Sequence, residues 1–138
     1  MKKYNLAYFQ KSNWTFVLMK NGKIVYRSKK EGLKPLLFCL KNRSVGNNNY
    51  CSLQNAVVYD KIVGRAAACL MIYGKVKSVM TPTISRAAIA KFKKYNIKIE
   101  YLKTTGKIMN RLGDDICPME KLSRNKKPGE FARIMMEK

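Results

Sequence analysis

Histidine is absent from all 138 residues. Its absence removes every mechanism that turns on an imidazole, the Ser-His-Asp and Cys-His arrangements included. Cys, Lys, Tyr, Asp and Glu remain as acids, bases and nucleophiles. Acidic residues are scarce too: 8 Asp and Glu stand against 29 Lys and Arg, a formal net charge of +21. The cysteines, at 39, 51, 69 and 117, form no Cys-x-x-Cys pair. No metal site and no cofactor are therefore expected. No apolar run reaches the roughly 18 residues of a membrane-spanning helix, and no membrane partner is expected. The opening residues, Met1 to Lys11, are basic but lack a sustained apolar segment with a small-residue cleavage site, which does not read as a secretory signal. Reduced thiols and a cytoplasmic location are the expectation.

What is present describes a folded chain. An apolar content of 46% and this length suit one domain with a real core, residues 1–138. The core is read over about 14–122, with a short N-terminal extension and a C-terminal helical tail. The positive charge is spread along the whole chain. It suits nucleic acid or nucleotides as partners and equally a solvated lysine-rich surface. No recognised RNA-binding signature accompanies it.

Taken in order, Trp14–Met19 is β-rich, Asn21-Gly22 is a hairpin turn, and Lys23–Ser28 returns, so 14–28 reads as a hairpin. Gly32-Leu33-Lys34-Pro35 opens a helix with a leucine stripe that ends near Asn42. Residues 43–50 read as a polar loop. Residues 55–59 form a strand, and residues 61–73 a helix apolar nearly all round, hence buried. Asp60 stands at its N-cap and Gly74 at its left-handed end. A strand over 76–80, a turn at 81–85 with Ser85 as cap, a helix over 86–95 and a strand over 97–101 follow. This alternation implies parallel strands with right-handed crossovers, a layered α/β domain. Gly113-Asp114-Asp115 reads as a turn. Pro118 and Pro128 each suit the first residue of a short helix, with Cys117 at the first cap.

Three stretches, Gly32-Leu33-Lys34-Pro35-Leu36-Leu37, Asp60-Lys61-Ile62-Val63-Gly64-Arg65-Ala66-Ala67-Ala68 and Cys117-Pro118-Met119-Glu120-Lys121, occur in this order. Together they resemble the domain-of-unknown-function family 1893 of small prokaryotic proteins, over about residues 14 to 122. The resemblance implies a fold like that of cytidine deaminases: a three-layer α-β-α sandwich with a mixed sheet that begins with a hairpin. It does not carry their chemistry. A zinc deaminase places His or Cys, then Glu two residues on, at one helix start and Pro-Cys-x-x-Cys at the next. Here those places read Asp60-Lys61-Ile62-Val63-Gly64 and Thr81-Pro82-Thr83-Ile84-Ser85, so zinc-dependent deamination is not expected.

The candidate site follows from these motifs. Asp60, Lys61, Gly64 and Arg65 stand where a buried helix begins, and free N–H groups there favour an anion. Gly64 would admit a ligand to the backbone, and Lys61, Arg65 or Arg111 would pair with its charge. The plain reading is a cap, a packing glycine and solvated cations. Cys117 at a helix start is a candidate thiolate nucleophile, with Lys61 and Glu120 as candidate catalytic partners; equally, Cys117 is a small apolar residue and Glu120 its cap. A nucleotide or other small anionic ligand, held at a positively biased hollow between the central helix and the Cys-Pro turn, is the leading expectation. A non-enzymatic RNA- or DNA-binding module is the alternative. An assembly subunit or homo-oligomer, with exposed sheet edges, is the third reading.

Overall fold

A computed structural model describes residues 4–42, 51–109, 113 and 116–137. The 43–50 loop, Arg111 and Asp114-Asp115 lie outside the described residues.

The sheet has six strands: β1 (Phe16–Lys20), β2 (Lys23–Ser28), β3 (Val57–Asp60), β4 (Ile62–Val63), β5 (Ser78–Ser85) and β6 (Lys98–Thr105). β1 runs antiparallel to β2 and to β3, whereas β3, β4 and β6 all pair parallel to β5. The hairpin closes as the sequence implies. Asn21 and Gly22 both take positive φ, 52° and 77°, the conformation of a primed two-residue turn.

Helices cover both faces unequally. α1 (Leu6–Lys11) seats Leu6 and Phe9 against Val17 and Tyr59 on one face. On the other face α2 (Lys34–Lys41), α3 (Arg65–Tyr73), α4 (Arg86–Lys94) and α6 (Pro128–Met136) share one core with Phe16, Leu18, Val58, Val79 and Ile84. α3 lies at its centre, with Ala66 through Met71 all buried. The short α5 (Pro118–Ser123) packs on α3. This is a mixed-sheet α/β sandwich. Among the described residues no helix is long and apolar enough to cross a membrane.

Four boundaries differ from the sequence reading. The central helix starts at Arg65, with Gly64 at its cap. Asp60 instead ends β3, because the β-branched pair Ile62-Val63 forms a second short strand on β5. Gly74 has φ −75°, and Lys75, at φ 64°, takes the left-handed turn. Gly74 is needed for close approach instead: a Cβ there would sit 2.5 Å from the Leu53 side chain. Thr81–Ser85 is strand and not turn, since β5 pairs with β6 in one register on both sides of Pro82, and β6 runs on to Thr105. Ser85 still caps α4, its Oγ accepting from the Ala88 N–H at 3.1 Å.

Candidate functional site

β3 and β4 follow one another along the same edge of β5, and the chain leaves the sheet at Gly64. α/β folds commonly hold ligands beyond the carboxyl ends of parallel strands. At this end a hollow of about 340 Å³ opens, lined by Asp60, Lys61, Gly64, Cys117, Met119 and Glu120, with Thr15 and Glu31–Leu33 completing the wall. Five of the seven residues expected from sequence therefore meet in one place. Arg65 is not among the lining residues, and Arg111 is outside the described structure.

The helix start does gather an anion, but the anion is the protein's own. The Glu120 carboxylate accepts from the Arg65 N–H at 2.9 Å and the Ala66 N–H at 2.7 Å. These are two of the amides that α3 cannot satisfy internally. The expectation that Glu120 closes the cap of its own helix is corrected: it reaches across to α3, while Cys117 makes no side-chain cap bond. Gly64 makes this possible, since a Cβ there would lie 2.5 Å from Glu120 Oε1. Arg65 completes the tie. Its guanidinium donates to the Glu120 carbonyl (3.1 Å) and to Ser123 Oγ (3.2 Å), and Ser123 Oγ donates to the same carbonyl at 2.9 Å. Arg65 thus fastens α5 to α3.

Lys61 is committed as well. Its ammonium donates to the carbonyls of Gln10 (2.9 Å) and Ser12 (2.7 Å) and sits 4.9 Å from the Phe9 ring centre. It straps the end of α1 to the site, and desolvation pulls its pKa below the usual lysine value. Asp60 is 7% exposed. Burial raises its carboxyl well above the usual aspartate range, against the lowering effect of hydrogen bonds from the Lys61 and Ile62 N–H groups. The charged lining is thus Glu31, Asp60 and Glu120 against Lys61. The hollow is richer in acceptors than in cations, which corrects the expected positive bias.

Cys117 is half-buried, whereas Cys39, Cys51 and Cys69 are buried. Its N–H donates to the Ile108 carbonyl at 2.8 Å, fixing the turn that carries it to the wall. A second, larger groove of about 640 Å³ adjoins, sharing Glu31, Gly32, Leu33, Cys117 and Met119 and adding Lys34, Leu37, Met109 and Met135. Glu31 and Leu33 were not singled out from sequence as site residues, although the Gly32–Pro35 motif pointed to them. Thr15 had no signal; β1 pairing sets Phe16 opposite Asp60 and brings its neighbour along.

Asp60 makes one pH prediction. A carboxyl whose folded pKa is raised binds its proton more tightly folded than unfolded, so stability falls as pH rises from the ordinary aspartate value through the folded one. Asp60→Asn keeps an acceptor for the two amides and removes the titration. Thermal midpoints of wild type and variant, compared between acidic and mildly alkaline pH, should diverge, with the variant gaining on wild type as pH rises. Parallel curves would contradict the assignment.

Fold and site together define an α/β sandwich with a small hollow at the strand ends. The sequence profile described as "Domain of unknown function (DUF1893)" matches residues 5–138, and the chain belongs to that family. It is similar in structure to a DUF1893 family protein from Thermotoga maritima, with 27% identity and a TM-score of 0.80 over 96% of this chain and 85% of that one. No curated protein matches.

Proposed function

We propose that the domain binds a nucleotide or another small metabolite in the hollow at Asp60, with a hydrogen-bond-donating end inward. One observation carries this reading: four separate segments converge on a partly open hollow whose wall holds the buried Asp60 carboxyl. The helix amides cannot supply the attraction, because Glu120 already holds them. The remaining polar groups favour N–H donors, such as those of a heterocyclic base. An anionic portion would then turn outward, toward Lys34 in the adjoining groove. The deaminase-like arrangement implied by the sequence motifs puts ligands at the same strand ends. Cys117, on the shared wall, is the nucleophile available if the bound molecule is also transformed.

A thermal-shift screen of nucleosides, nucleotides and inorganic phosphate tests the reading. Base-bearing compounds should raise the midpoint and slow alkylation of Cys117 by iodoacetamide; Asp60→Asn should weaken both effects. Stabilisation by phosphate alone, or binding that leaves Cys117 alkylation unchanged, would overturn it.

A further inference from the structure

Among the described residues β6 has a strand neighbour on one side only, β5, and no described strand pairs its other edge along eight residues. Six of those residues are exposed, Tyr101 (41%) and Leu102 (55%) among them. Natural edge strands of this length usually carry a device against pairing, or they pair. β6 carries two lysines, Lys98 and Lys103, but also Glu100, one of only 8 acidic residues in the chain.

We infer that β6 pairs antiparallel with β6 of a second copy of this chain, in the register that sets Tyr101 opposite the second copy's Leu102. In that register each Glu100 faces a Lys103, Ile99 faces Thr104, and Lys98 faces Thr105. Sliding by one residue sets Glu100 against Leu102 or Thr104 and loses both ion pairs. Directly opposed side chains project to the same side of an antiparallel pair. A two-fold axis through the sheet therefore requires Glu100 and Lys103 of one strand to share a face. In regular alternation residues three apart would not. We take β6 to follow the break in alternation that β5 makes near Pro82, which puts the two on one face. Val79 and Ile84, five residues apart, both enter the same core. The Thr81 hydroxyl takes the Thr83 N–H at 3.3 Å, within the irregular stretch. β6 keeps register on both sides of the break, with Glu100 beside Met80 and Lys103 beside Thr83. Glu100 lies on the α1 face, where its charge acts on Tyr59. Tyr101 and Leu102 cluster around the axis, withdrawing the most exposed apolar side chains of the strand from water. Repulsion between two chains of net charge +21 opposes the contact. That repulsion is screened beyond about 8 Å at physiological salt.

Charge exchange tests the register. The full chain at high micromolar concentration and near-physiological salt should sediment at twice its 15.9 kDa mass. Glu100→Lys and Lys103→Glu each replace two attractive pairs by two repulsive ones, and each should weaken association about tenfold. The two together should restore it. The directions are diagnostic: Lys103→Glu lowers the net charge, so relief of general repulsion would strengthen association instead. A monomeric wild type, single variants that associate as wild type does, or a double variant without recovery would each overturn the inference. Both positions are exposed, and unchanged far-ultraviolet dichroism checks that the variants fold.

Discussion

Glu120→Ala should lower the unfolding midpoint by on the order of 10 °C, a loss of about 3 kcal/mol. The carboxylate is 6% exposed and takes the Arg65 and Ala66 N–H groups at the head of the most buried helix. Alanine leaves both donors without their carboxylate partner and removes a negative charge from the positive end of the helix dipole. Glu120→Gln retains one acceptor oxygen and should lose about half as much. Calorimetric unfolding of the two variants separates the contributions. If alanine and glutamine were equally costly, the charge and not the pair of bonds would dominate; a fall of under about 2 °C for alanine would remove Glu120 as a structural cap.

Gly64→Ala is the second large effect, expected at about 2 kcal/mol. Gly64 has φ −104° and ψ −175°, extended backbone that any residue adopts, so the cost is not conformational. A Cβ would lie 2.6 Å from Glu120 Cδ and 2.7 Å from Ile108 Cγ1. Glu120 must move, and with it the cap. The two changes therefore share one mechanism and should not add. In a Glu120→Ala background the alanine at 64 should cost clearly less than it does alone, with Ile108 the residual obstacle. Additive losses in the double-mutant cycle would show that Gly64 and Glu120 act independently.

The same pair shows what local sequence could reveal. That Asp60-Lys61-Ile62-Val63-Gly64 and Cys117–Glu120 line one hollow was legible. Which carboxylate capped the helix was not. Asp60 stands in the usual cap position ahead of an apolar run, yet β5 offers Ile62-Val63 a parallel partner, and the strand wins four residues from the helix. Glu120 caps from 55 residues away, a distance across which no local pattern reports. Lys61 and Arg65 read as cations free for a ligand; packing gave them the carbonyls of α1 and α5 instead.

Composition and periodicity alone determined the α/β class, the opening hairpin, the buried alanine-rich helix, the proline-led helix starts and the lack of any imidazole. These follow from what each residue does to its own backbone and from which side chains avoid water. Tertiary structure alone decided where the central helix begins, which group neutralises its dipole, and that the hollow behind it is rich in acceptors. Each of those outcomes is a competition between partners far apart in the chain, settled only when folding places them within hydrogen-bonding distance.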